Sequence, residues 1–178
     1  IGAYPGSYEV VNNTIAYNMW DASYSERNYA FAAAYPEDGS SARIDLTLRN
    51  NIFAFNCQED MGGPTGLYLG PGVNLVSEGY NLFWSRADEE ILAESAPGEH
   101  EFPRTAITDG TWAAATGQGQ GNITADPLFV AGWPEVDLRL QANSPAVDHG
   151  DATGAPHDDL IGDPRPQGAA WDIGAYER

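Results

Sequence analysis

The chain has 178 residues, 42% of them hydrophobic, enough for the core of one domain. Its 8 cationic residues are all arginine and face 26 Asp and Glu, a formal net charge of −18 that excludes the electrostatic footprint of a nucleic-acid or anionic-membrane binder. No stretch approaches the roughly 20 apolar residues of a membrane-spanning helix. Cys57 is the single cysteine, which excludes an internal disulfide framework and a cysteine-based zinc site.

Leu, Ile, Val and Phe make up just under one-fifth of the chain, which together with the charge falls in the compositional zone of disorder. Five Trp and nine Tyr argue instead for a folded chain. Ile1 is not an initiator residue, and the chain is read as a processed or trimmed piece.

From the N-terminus, the first signal is a repeat. Residues 12–18 read Asn-Asn-Thr-Ile-Ala-Tyr-Asn and residues 50–56 read Asn-Asn-Ile-Phe-Ala-Phe-Asn, with a weaker third copy at Tyr80-Asn81-Leu82-Phe83-Trp84. Alternating segments precede the copies: Tyr8-Glu9-Val10, Ile44-Asp45-Leu46-Thr47-Leu48 and Val73-Asn74-Leu75-Val76. Each unit reads as strand, Asn-bearing corner, strand. Insertions at 19–42 and 57–66 carry polar, aromatic and turn-forming residues.

This pattern predicts an all-β chain, a right-handed parallel β-helix (solenoid) of about three coils with long loop insertions and a C-terminal cap. Residues 1–120 form the coils and 121–178 the capping segment of the same domain. Asn13, Asn51 and Asn81 are expected to form a corner ladder of amides, with Ile15, Phe53 and Phe83 inward. Farther along, Arg86-Ala-Asp-Glu-Glu-Ile-Leu-Ala-Glu-Ser95 predicts a helix ended by Pro97-Gly98, with its carboxylates as a solvated face. Gly117-Gln-Gly-Gln-Gly121 lacks the Lys and Ser/Thr of a phosphate loop and reads as a flexible loop.

Distinctive blocks close the chain: Gly121-Asn122-Ile123-Thr124-Ala125-Asp126-Pro127-Leu128-Phe129, then Asn143-Ser144-Pro145-Ala146-Val147-Asp148-His149-Gly150-Asp151, Gly162-Asp163-Pro164-Arg165-Pro166 and Asp172-Ile173-Gly174-Ala175-Tyr176-Glu177. In this order they resemble the C-terminal portion of bacterial secreted right-handed β-helix proteins with pectin-lyase-like repeats. The resemblance implies a solenoid that is secreted or displayed at the cell surface. It fixes no chemistry, since such folds host polysaccharide lyases, glycoside hydrolases, adhesins and structural proteins alike.

Lyases of the β-helix families that the chain resembles commonly use a Lys or Arg base; no lysine is present, and Arg43, Arg49 or Arg139 could serve only in a strongly perturbed site, which disfavours that chemistry. Carboxylate pairs for glycoside hydrolysis are unavoidable among 26 acids and so say little. Asp148, Asp151, Asp158, Asp159 and Asp163, with His149 and His157 between them, form the densest acidic cluster, a candidate Ca²⁺ site; the alternative is Asx turns paired with Arg165. Trp20, Tyr24 and Tyr29 are candidate carbohydrate-contacting rings, with core packing as the alternative.

The favoured reading is an extracellular or cell-surface segment with a structural, assembly or glycan-contacting role, not catalytic by itself. Its partners would be a polysaccharide, and a second copy or upstream coils covering the N-terminal edge. The alternative is a fragment of a polysaccharide lyase or glycoside hydrolase whose catalytic coils lie upstream.

Overall fold

Strict alternation decides the first elements. In the computed structural model, which describes residues 5–18, 31–33, 43–56, 67–70, 72–84, 90–94 and 99–178, strand β4 (Ile44–Arg49) buries Ile44, Leu46 and Leu48 and leaves Asp45, Thr47 and Arg49 half-buried. It lies between β1 (Gly6–Val11) and β7 (Val73–Gly79) in a parallel three-stranded sheet. The three-residue strands β2 (Thr14–Ala16), β5 (Ile52–Ala54) and β8 (Leu82–Trp84) form a second parallel sheet, and β3 (Phe31–Ala33) pairs in parallel with β6 (Leu67–Leu69).

The repeat sets the register. Ile15 pairs with Phe53 and Phe53 with Phe83, while Val10 pairs with Leu48 and Leu48 with Glu78. Between Leu46 and Thr47 the register shifts by one residue: Leu46 faces Leu75 but Thr47 faces Ser77, so Val76 is extra and stands 55% exposed.

Beyond β8 the organisation changes. Strands β9 (Glu90–Glu94) and β10 (Glu99–Pro103) pair antiparallel, followed by two short helices, α1 (Thr105–Thr108) and α2 (Thr111–Thr116). A second antiparallel pair, β11 (Phe129–Ala131) with β12 (Asp137–Leu140), opens the tail.

The expected fold class is therefore corrected. An all-β parallel β-helix of three coils with a cap is not what is seen; among the described residues the architecture is mixed, with parallel sheets of three, three and two short strands, separate antiparallel pairs and two helices. The helix expected over 86–95 is also corrected where it is described, because 90–94 is a strand; 86–89 and 95 lie outside the described residues. Its composition favours helix, but edge pairing with β10 satisfies its backbone, and tertiary pairing overrides local propensity. Gly117–Gly121 is not a free loop either: Gly119 donates its N–H to the Glu78 carbonyl, Tyr80 donates to the Gln120 carbonyl, and Ile123 donates to the Asn81 carbonyl.

Two cores share the middle sheet. Phe53 and Phe83 stack with centroids 5.2 Å apart and planes 10° from parallel, and Phe31 meets Phe53 edge-on at 6.4 Å. These rings, with Ile44, Leu46, Leu48, Leu67 and Trp112, form the first core. On the opposite face of the sheet, Ile52, Ala54 and Leu82 pack with Phe129, Leu140, Ala146 and Ile173 of the tail. β5 is buried at all three positions because it is covered on both faces.

Candidate functional site

Three polar constellations are built on this frame. The first is at the corners. Asn12, Asn50 and Tyr80 share a left-handed backbone with φ of 54°, and Tyr17 and Phe55 share φ of 55°. Asn tolerates this conformation, and the tight corner turns the chain from one sheet into the next. The residue after each corner carries the ladder. Asn51 accepts at Oδ1 from the Asn13 backbone N–H (3.0 Å) and donates from Nδ2 to the Val10 carbonyl (2.7 Å) and Asn81 Oδ1 (3.0 Å). Asn81 continues it to Asn122, whose Oδ1 accepts from the Asn81 backbone N–H at 2.8 Å. The structure thus brings Asn13, Asn51 and Asn81 together.

A second ladder lies at the other corner, where Asn18 donates its backbone N–H and Nδ2 to Asn56 Oδ1. A third pairs Asn50 Nδ2 with Asn12 Oδ1 at 3.1 Å. The identical ends of the two seven-residue copies carried the signal for both.

The second constellation surrounds Glu78, only 2% exposed. Its Oε2 accepts from Trp112 Nε1 at 2.8 Å, and its Oε1 accepts from Asn81 Nδ2 at 2.8 Å and Asn122 Nδ2 at 2.7 Å. Burial raises its pKa above the ordinary carboxylate value, opposed by these three hydrogen bonds and by the Arg49 charge. The carboxylate ties α2 and the 118–123 segment to the end of β7. With both oxygens engaged by these donors, the Glu78 carboxyl serves as a buried acceptor.

The third constellation explains the closing motif. Arg165 and Glu177, with side chains 1% and 0% exposed, form a buried ion pair at 3.0 Å. Arg165 also donates to the carbonyls of Asp172 and Gly174, and Glu177 accepts from the backbone N–H groups of Gln167 and Asp172. Asp172 is fully buried and accepts the Asp148 N–H at Oδ1, while its Oδ2 has no partner. Desolvation, with the neighbouring Glu177 and Asp148 charges, raises its pKa to about 6.

This knot then docks on the corners. Asn12 Nδ2 donates to the Asp172 and Gly174 carbonyls, Gly174 donates its N–H to the Asn50 carbonyl, and Ala175 donates to Thr14 Oγ1. Gly174, at φ of +103°, leaves no room for a side chain: a Cβ there would lie 2.7 Å from Ile52 Cδ1. Asn50 and Asp151 exchange side-chain-to-backbone bonds, and Arg49 pairs with the Asp151 carboxylate.

Of the five aspartates expected to form a cation site, Asp148, Asp151 and Asp159 have carboxylates engaged by the chain itself. Asp148 Oδ1 accepts from the Ala170 N–H, and Asp151 Oδ1 from Thr153 and Arg49. Asp159 takes N–H groups of Ile161 and Asp163 on Oδ1 and that of Glu177 on Oδ2, while Asp158 forms an antiparallel bridge to Pro164 through its backbone only. Partial burial pushes Asp159 up, but the three N–H donors and Arg165 together hold its pKa below the ordinary value. Asp163 contributes its carbonyl to the Asp159 N–H. Among the described residues, no group of three His, Cys, Asp or Glu side chains that could hold a metal ion is brought together. Arg165 pairs with Glu177 and not directly with these aspartates. Trp20, Tyr24 and Tyr29 lie outside the described residues.

Among the described residues no helix is long and apolar enough to cross a membrane. In comparisons with family models, curated proteins and solved structures, nothing matches the chain.

Proposed function

We propose that this chain is a structural segment of a secreted or cell-surface protein, serving display, assembly or glycan contact and not catalysing a reaction by itself. The observation that carries the reading is the use made of its buried ionisable groups. Glu78, Arg165, Asp172 and Glu177 are each enclosed by partners from within the chain and hold segments together. A catalytic acid or base needs reach to a reacting atom, and these groups have been turned inward. The closing blocks, which resemble the ends of bacterial secreted proteins, support an extracellular location.

Assembly is supported by the sheet edges. Among the described residues β1 and β2 pair on one side only, with β4 and β5, which leaves their other side as the place where a second chain would add a strand. The test is incubation with pectin, alginate, chondroitin and a neutral glucan, following unsaturated uronates and new reducing ends. No product is the expected result; product formation that survives repurification and is lost in a point variant overturns the reading in favour of a lyase or hydrolase.

A further inference from the structure

The amide ladders repeat one bonding rule, and at one end the rule is left incomplete. At each step the Oδ1 of an Asn accepts both the backbone N–H and the Nδ2 of the Asn in the preceding unit. Asn51 accepts from Asn13 at 3.0 and 3.3 Å, Asn81 from Asn51 at 2.9 and 3.0 Å, and Asn122 from Asn81 at 2.8 and 3.4 Å. In the second ladder Asn56 accepts from Asn18 at 3.2 and 3.0 Å. The same Nδ2 also reaches back, onto the carbonyl three residues before the preceding Asn: Asn51 onto Val10, Asn81 onto Leu48, and Asn56 onto Ile15.

Asn13 and Asn18 are the first rungs. Both are exposed, the Oδ1 of each accepts nothing from the described residues, and Asn13 Nδ2 turns back to the Val11 carbonyl of its own strand. Among the described residues β1, β2 and β3 each pair on one side only. Gly6 and Asn12 donate their N–H groups to the Arg43 and Arg49 carbonyls, so strand alternation turns the amides of Ser7, Glu9 and Val11 toward the other edge.

The far end of the ladder is closed. Asn122 donates its N–H to the Gly119 carbonyl and its Nδ2 to Glu78 Oε1, and bridges from Gln120 to Gly79 and from Ile123 to Leu82 cover β7 and β8 there. A second copy stacked head to tail therefore has no rung to offer Asn13. One docked about a two-fold axis would run β1 antiparallel to its partner, which breaks the parallel register both ladders require.

We propose that this edge docks an extended segment of another polypeptide that carries Asn-x-x-x-x-Asn and runs parallel to β1 and β2. Its first Asn donates to Asn13 Oδ1, its second donates to Asn18 Oδ1, and the carbonyl three residues before its first Asn takes Asn13 Nδ2. Main-chain bonds to Ser7, Glu9 and Val11 supply affinity, and the two amides fix the register. The residue four before the first Asn lies opposite Glu9, as Thr47 does within the chain, so an acidic residue there is disfavoured. This rests on the assembly reading above and names what the edge takes.

The test is titration of the whole chain into a fluorescein-labelled peptide with the sequence of residues 44–56, the chain's own Asn-x-x-x-x-Asn unit, followed by anisotropy. Saturable binding with a Kd below about 1 mM is expected. It should weaken at least fivefold when the peptide carries Asn51→Ala and Asn56→Ala, a change that leaves the folding of the chain untouched, and likewise when the chain carries Asn13→Ala and Asn18→Ala. Hydrogen exchange of the 6–12 segment should slow in the complex. No saturable binding, equal binding of the alanine peptide, or binding undiminished in the chain variant each overturns the proposal. So does sedimentation showing a dimer that Asn13→Ala dissociates, which would give the edge to a second copy. Failure of the non-catalytic reading has a separate signature, cleavage of a polymer, and the peptide titration decides the edge in either case.

Discussion

Asp172→Asn is expected to stabilise the protein at neutral pH, although Asp172 belongs to the closing motif and is completely buried. A carboxyl whose pKa stands at about 6 in the native state, against an ordinary 3.8, prefers to be protonated there. At about 1.4 kcal/mol per pH unit, keeping it ionised costs up to about 3 kcal/mol. A raised native pKa gives stability that is fully present below the unfolded value and lost as pH rises through the native value. Wild type should therefore lose about 1.4 kcal/mol from this residue between pH 5 and pH 7.5.

Asparagine keeps the oxygen that accepts from the Asp148 N–H at 2.8 Å, and replaces by an amide nitrogen the Oδ2 that has no partner. It also removes repulsion from Glu177 and Asp148, while Arg165 keeps Glu177 as its ion-pair partner. Allowing for the amide's own unpaired donor, the net gain at pH 7.5 is about 1–2 kcal/mol. Urea melts of both proteins at pH 5 and pH 7.5 measure it, since contributions of the remaining acids cancel in the difference. If Asp172→Asn is the less stable protein at pH 7.5, and by the same amount at pH 5, Asp172 is ionised and paired with Arg165, and the desolvation argument is wrong.

Glu78→Ala strands Trp112 Nε1 and weakens the bonding of Asn81 and Asn122, and at about 1–3 kcal/mol per buried unsatisfied group it should cost about 3–5 kcal/mol by chemical denaturation. Glu78→Gln keeps an acceptor for the two amides but sets a donor against the indole, so it should cost less than the alanine variant. Phe53→Ala removes the ring stacked on Phe83 and touched by Phe31, with an expected loss of about 3–5 kcal/mol in the same melts. Along the ladder, Asn51→Ala should cost about 2–4 kcal/mol and Asn13→Ala about 1 kcal/mol or less, because Asn51 is buried and its side chain bonded at both ends, while Asn13 is exposed and its side-chain oxygen accepts nothing from the described residues. Equal losses for the two at high protein concentration, unequal on dilution, would place a second copy on Asn13.

The repeat was legible because its physical basis is local. Asn at a left-handed corner, followed by a β-former every second position, is visible in any seven-residue window, and the register of Ile15, Phe53 and Phe83 follows from aligning the copies. Extending that alignment two residues before Asn50 and Tyr80 puts Glu78 in register with the buried Leu48, which would have flagged an interior acid. Its partner was beyond reach: Trp112 is 34 residues away across a hairpin and a helix, and no spacing encodes the contact. The 86–95 segment failed for the opposite reason. Its Glu, Ala and Leu content is strongly helical, and only β10 beside it, with β6 nearby, makes the extended form the one that pairs.

The tail was expected to close the end of the strands, and its docking on a sheet face follows from the shortness of β2, β5 and β8. Three-residue parallel strands cannot present one apolar face and one wet face as a longer antiparallel sheet does. Phe53 and Phe83 already point into the first core, which leaves Ile52, Ala54 and Leu82 turned the other way. Those residues need a cover, and Phe129, Leu140, Ala146 and Ile173 supply it. The carbonyls and amides of the Asn12 and Asn50 corners lie beside that face, so the Arg165–Glu177 knot that shapes the tail is bonded to the same residues that turn the sheets. Both faces of the middle sheet are thereby covered, and the buried ions Arg165 and Glu177 are spent on holding the tail to it.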